Sequence, residues 1–236
     1  MKLRYKRSVL GVGWSLLNPL AQLLVFRFIF DKVLLSSVPN FTSFLFTGVL
    51  VWNWFQMSLV FATTTIVDNR ELIKRPGFPL AILPAVTITS YLIHFLLALP
   101  ILLAVLMNGG IAISTTIVLL PVIIAIQFAL TLGLAYFAAT LHVAFRDTQY
   151  LLGVVLQLLF FLSPVFYDVS AIPQRLQFLY HINPMVTLID AYRAVLIRGQ
   201  FPHDTTLISL GLMTAVLLAS GYFVFMRASR HFVDEL

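Results

Sequence analysis

Nine carboxylate side chains, five histidines and no cysteine are what this 236-residue sequence offers for building a reactive site. Without Cys there is no thiolate nucleophile, disulfide framework or sulfur-bound metal. His94, His142, His181, His203 and His231 show no HExxH or comparable ligand spacing. They read as interfacial or packed histidines, and no metal site is expected. The G-x-x-x-x-G-K-[ST] loop that cradles nucleotide phosphates does not occur, so energy for any active process must come from elsewhere. No acidic residues pair inside an apolar run as a proton relay requires, and no catalytic residue is assigned. Two charged features remain. Arg27 stands well inside an apolar run, with Asp31 four residues on along the same helix face. The other feature is compact: Asp68, Arg70, Glu71, Lys74 and Arg75 crowd around the stretch "NRELIKRPGFPLAILP" at 69–84.

The elements that hold these charges are set by composition. Hydrophobic residues make up 60% of the chain and charged residues only 10%, against roughly 25% charged in soluble domains. Apolar runs near the length of a membrane span recur along the sequence, which predicts an all-α integral membrane protein with one transmembrane domain over residues 1–236. Spans are expected at 20–35, 43–66, 82–106, 113–141, 149–166 and 206–226, the fourth tilted or bent at Pro121. Residues 1–18 pair basic side chains with Leu3, Tyr5, Val9, Leu10 and Trp14 and read as an interfacial helix rather than a cleavable signal peptide. Trp52, Trp54 and Tyr167 suit interfacial belts. Between the fifth and sixth spans lies a mixed segment, 167–204, broken by Pro173, Pro184 and Pro202. In it Ile172, Leu176 and Leu179 fall opposite Gln174, Arg175 and Gln177, as on an amphipathic surface helix. The net charge of +6 flanks the apolar runs, so it serves topology and anionic lipid rather than nucleic acid.

Counting Lys and Arg orients the chain. With the N-terminus in the cytoplasm, the inner segments hold Lys2, Arg4, Lys6, Arg7, Arg70, Lys74, Arg75, Arg146, Arg227 and Arg230. The outer ones hold only Lys32, Arg175, Arg193 and Arg198. Both termini are therefore expected in the cytoplasm, and residues 68–79 with them. Asp68 and Glu71 have capping-box spacing, and a helix begun there stops at Pro76-Gly77, about two turns on. Pro79 and Pro84 suit the first turn of the third span. At this level the patch has two readings, an ordinary cytoplasmic loop and a docking element for a soluble partner.

Four stretches decide between them: "LRYKRSVLGVGWSLLNPL" at 3–20, "NRELIKRPGFPLAILP" at 69–84, "FRDTQYLL" at 145–152 and "SPVFYDVSAIPQRLQFLYHINPMVTLIDAYRAVLIRGQFP" at 163–202. In these, in the tail "FVDEL" and in their order along the chain, the sequence resembles the permease subunits of ABC-2 type transporters. The likeness is to the branch that exports polysaccharides and polyol-phosphate polymers (O-antigen, capsule, teichoic acid). Family members usually have further residues ahead of the first stretch, so this N-terminus reads as short.

The resemblance implies a homodimer in the bacterial inner membrane, served by two cytoplasmic ATPase subunits that bind ATP and Mg; no cofactor is expected in this chain. It makes Asn69, Arg70, Glu71, Leu72, Lys74 and Arg75 the coupling helix that enters a cleft on the ATPase. Arg146 and Asp147 become a second, smaller contact. It makes 167–204 an outer gate of short re-entrant helices, with Ile172, Arg175, Leu176, Leu179, Tyr180, Asn183 and Pro184 as its candidate residues. The cargo implied is a lipid-linked glycan or polyol-phosphate polymer. Phe26, Phe30, Phe160, Phe161 and Phe166 are the candidate conduit aromatics, on the spans that the family places at the dimer centre. Arg27 keeps two readings: a paired or snorkelling Arg near the outer interface, and a contact for substrate phosphate. Rival functions are an ABC-2 permease for a drug or lipid, a membrane-embedded glycosyl- or phosphotransferase, and a passive channel or scaffold.

Overall fold

The computed structural model describes residues 40–75, 77–168, 182–202 and 204–232, together with residues 17, 20–22, 24, 25, 28, 29, 172, 175 and 180. Every regular element among them is helical. In chain order these are α1 (Phe41–Asp68), α2 (Arg70–Ile73) and α3 (Ile82–Asn108). A 3-10 turn at Thr115–Leu119 leads into α4 (Leu120–Ala144), followed by α5 (Thr148–Leu162). α6 (Pro184–Arg193) continues as a π-helical turn, Ala194–Arg198, and α7 (Asp204–Ala228) closes in a 3-10 turn, Ser229–His231.

Four of these are long and apolar enough to cross a membrane: α1, α3, α4 with its leading turn, and α7 with its closing turn. They match the expected spans to within a few residues at each end. The expected interfacial helix and first span, with Phe26, Arg27 and Phe30, lie largely or wholly outside the described residues. α5 stops at Leu162 rather than 166, because Pro164 bars its predecessor from helical backbone. Phe166 therefore sits in the corner beyond α5. Pro121 falls in the first turn of α4, where the 3-10 turn Thr115–Leu119 passes into α-helix. Gly110 ends the α3 turn at φ 76°, a conformation that a side chain disfavours.

α1 differs from the other long helices. Of its most apolar stretch 72% is buried, against 17–33% for the other three. Small and hydroxyl side chains make this possible: Ser43, Thr47, Gly48, Ser58 and Thr63 lie along it, and Thr47 and Thr63 return their hydroxyls to the Ser43 and Leu59 carbonyls. Trp52 and Trp54 are consequently not belt residues. Both are buried, Trp52 against Phe160 and Trp54 stacked on Phe95 with ring centroids 4.9 Å apart.

The chain forms two compact units. The first comprises Met1–Trp54, Ile93–Pro121 and Phe160–His203. Its interior includes Trp52, Trp54, Phe95 and Tyr192. The second comprises Phe55–Leu92, Val122–Leu159 and Asp204–Leu236. Ile66, Ile73, Tyr136, Ala139, Val143, Phe225 and Phe232 make its core. Within it α4 and α7 cross at glycine: a Cβ on Gly221 would strike the Gly133 carbonyl, and one on Gly133 would meet the Leu217–Leu218 backbone at 2.9 Å.

Candidate functional site

The charged patch of the second unit is built on a single buried anchor. α2 is one turn long, shorter than the two turns expected. Asp68 does not cap it. Nothing between Phe41 and Asp68 stops α1, so the carboxylate is still inside that helix. Asn69 takes the N-cap position without a side-chain capping bond, and its Nδ2 instead donates to the Thr65 carbonyl at 2.7 Å. The expected capping box is therefore absent.

Ile73 is the buried residue of α2 and packs into the core with Tyr136, Val143, Phe225 and Phe232. Arg70, Glu71, Lys74 and Arg75 are exposed around it, and Asn69 and Leu72 are half-buried. Arg146 and Asp147 are also exposed, at the turn between α4 and α5. His142 lies within electrostatic reach of both Asp68 and Arg146, which brings the two charged turns into one neighbourhood of the second unit. Beyond α2, the Tyr136 hydroxyl donates to the Ala81 carbonyl at 3.1 Å and fixes the chain where α3 begins. The arrangement is a small polar knob on a buried apolar base.

In the first unit, three of the conduit candidates come together. Phe160, Phe161 and Phe166 form a ring cluster with centroids 5.4–6.2 Å apart, and Phe161 is exposed. The cluster continues through Tyr167 to Tyr180, whose hydroxyl accepts from the Tyr167 hydroxyl at 2.9 Å. Burial and that bond push the Tyr167 hydroxyl above the ordinary tyrosine range. Of the gate candidates, Ile172 is buried and Arg175 exposed. Leu176 and Leu179 lie outside the described residues. Asn183 caps α6 through Met185 N–H and donates its Nδ2 to Ser163 Oγ at 2.9 Å, with Pro184 in the first helical turn.

The residue that spacing alone missed is Arg193. Counted above as one of four outer charges, it is 3% exposed. Its guanidinium donates to the carbonyls of Pro164 at 2.5 Å, Val165 at 2.7 Å and Phe44 at 3.1 Å, and lies 3.3 Å from the Phe44 ring centroid. Burial draws its pKa down to about 9, partly offset by Asp190 and Asp168, so it remains a cation at neutral pH. Each charge-assisted bond contributes about 1.5–3 kcal/mol, and the ring face about 2 kcal/mol more when dry. Gly48 makes the contact possible, because a Cβ there would stand 2.8 Å from Nη2. A charged residue within the apolar pattern "MVTLIDAYRAVLI" was the signal in the sequence.

Comparison with known proteins places this geometry. The ABC-2 type transporter family matches residues 1–197. The O-antigen export system permease protein RfbA of Myxococcus xanthus is 34% identical over 238 aligned residues, covering 100% of this chain and 92% of that protein. Its namesake in Klebsiella pneumoniae is 29% identical, covering 100% and 91%. The polysialic acid transport protein KpsM of Escherichia coli is 24% identical over 224 aligned residues, covering 94% and 87%. With its several membrane-length helices and its exposed charged turn on a buried base, this chain belongs to the ABC-2 type transporter family.

Proposed function

We propose that this chain is the transmembrane subunit of an ATP-driven exporter that moves a lipid-linked polysaccharide or polyol-phosphate polymer out of the cytoplasm. The observation that carries the reading is the end-to-end likeness to an O-antigen export permease, at 34% identity over the whole chain. One transmembrane domain of six spans, both termini cytoplasmic in a bacterial inner membrane, fits the Lys and Arg count. Two copies would enclose the path, with Phe26, Phe30, Phe160, Phe161 and Phe166 along it. Flat apolar rings suit the faces of sugars without gripping them. Two partner ATPases would supply ATP and Mg, and their closure would press on Asn69–Arg75 and on Arg146–Asp147. Ile73 supports this use, since a load on the exposed turn passes directly into packed side chains of α4 and α7. Residues 167–204 would gate the exit.

Complementation tests the cargo. In a strain lacking its own O-antigen permease, this chain with its ATPase should restore polymer at the surface. Restored drug resistance or lipid movement without polymer would defeat the reading. Co-purification tests the docking: Glu71→Ala with Arg75→Ala should release the ATPase, while an ATPase that stays bound sinks the coupling role. With no native Cys, a single Cys at Glu71 should label only from the cytoplasm and one at Gln174 only from outside.

A further inference from the structure

Four ties converge on α6 and its π turn, all within the first unit. At the N-terminal end Asn183 Nδ2 donates to Ser163 Oγ at 2.9 Å. In the middle the Arg193 guanidinium holds the Pro164, Val165 and Phe44 carbonyls, which belong to the corner after α5 and to the first turn of α1. At the C-terminal end the widened π turn offers its Val195 carbonyl to Thr116 Oγ1 at 3.0 Å, so the turn before α4 is bound as well. Arg198 closes back on Asp190 at 2.8 Å and reinforces the turn.

The Arg193 tie, unlike the exposed Arg198–Asp190 pair, is of a kind that does not release easily. The Arg193 hydrogen bonds go to neutral carbonyls and its face to a ring, with Asp190 and Asp168 near enough to favour its charge. Withdrawing the guanidinium strands a buried cation unless water or another acceptor enters at once. The Pro164 and Val165 carbonyls, just past the end of α5, would lose their donor at the same moment. A surface rearranging at every transport cycle is expected to use weaker and wetter contacts.

We propose that α6 with its π turn is a fixed post during export, and that Arg193 is the positioning residue that fixes it. The inference deepens the export reading given above and does not depend on which face of the membrane α6 occupies. Arg193 acts through the backbone it holds. Gly48 shares the role by leaving room for Nη2.

The test uses the whole transporter in membranes. At matched membrane abundance, Arg193→Lys and Gly48→Ala should each lower export about tenfold with ATPase turnover nearly unchanged. A Cβ on Gly48 would crowd both Nη2 and the Val165 carbonyl that Nη2 holds, at 2.8 Å each, so the two changes act on one contact and combined should do little more than the worse of them alone. Ser163→Cys with Asn183→Cys, bridged by a short reductant-cleavable thiol cross-linker, keeps Arg193 intact if the substitutions there prevent folding. Export should be the same before and after bridging. A bridge that stops export, with reductant restoring it, would show that α6 moves and overturn the proposal. So would failure of the bridge to form, or full export by Arg193→Lys. A double-Cys protein that exports nothing even when reduced would put the hold at Asn183 and overturn the role of Arg193. Complementation by the unsubstituted chain decides the export reading separately.

Discussion

Tyr136 donates its hydroxyl to the Ala81 carbonyl at 3.1 Å, joining the middle of α4 to the segment that follows the charged turn. The same ring leans on Phe225 and Tyr222 of α7. One side chain thus ties the start of α3 to two other helices of the second unit.

Tyr136→Phe keeps the ring packing and removes the bond. The loss should be about 1 kcal/mol of stability, the ordinary net value of a hydrogen bond. The thermal midpoint of the solubilised transporter should fall modestly, and export per ATP hydrolysed should fall more than ATPase binding.

Ile73→Ala removes the anchor under α2. A buried Ile cut back to Ala costs about 2–5 kcal/mol, and here the loss is concentrated under an exposed turn. The expected result is weaker ATPase co-purification with the chain still present in the membrane. Ile73→Leu should restore it, whereas no loss with Ala would mean that the turn is held by something else.

Gly221→Val should be far worse than Val at the open Gly211, where a Cβ meets nothing. At Gly221 the first added carbon already collides with the Gly133 carbonyl. Overpacking of this sort costs about 1–3 kcal/mol or more, and pulse-chase in membranes should show rapid loss of the Gly221 variant alone.

Alkaline titration reports on Tyr167. Its folded pKa lies above the unfolded value, because burial and the bond to Tyr180 favour the neutral phenol. Its contribution is therefore intact below about pH 10 and disappears as pH rises through the higher folded value. Stability should be flat with respect to this group from pH 6 to 9. Tyr167→Phe should remove part of the alkaline transition seen by tyrosinate absorbance.

The helices were legible because lipid imposes a length. Runs such as 82–106 and 206–226 correspond to α3 and α7 with small extensions. Pattern failed where neighbours rather than lipid decide. Trp52 and Trp54 have the amphipathic rings of belt residues, yet among the described long helices they lie on the one whose surroundings are mostly protein. Asp68 and Glu71 have capping spacing, but no breaker precedes Asp68, and α1 simply continues through it. Arg193 looked like a topology charge because a count of Lys and Arg carries no depth. Only the glycine at Gly48 and the bare carbonyls after α5 make a place for it.

The unequal burial of the long helices has a consequence for how such a chain changes over generations. Lipid asks little beyond greasiness of the exposed faces of α3 and α7, so Leu, Ile, Val and Phe can trade places on those faces almost freely. α1 must match the shapes of its neighbours at Ser43, Thr47, Gly48, Trp52 and Ser58. Drift among relatives should therefore run fast on the outer helices and slowly on α1, leaving the least greasy of the four as the one from which descent is easiest to trace.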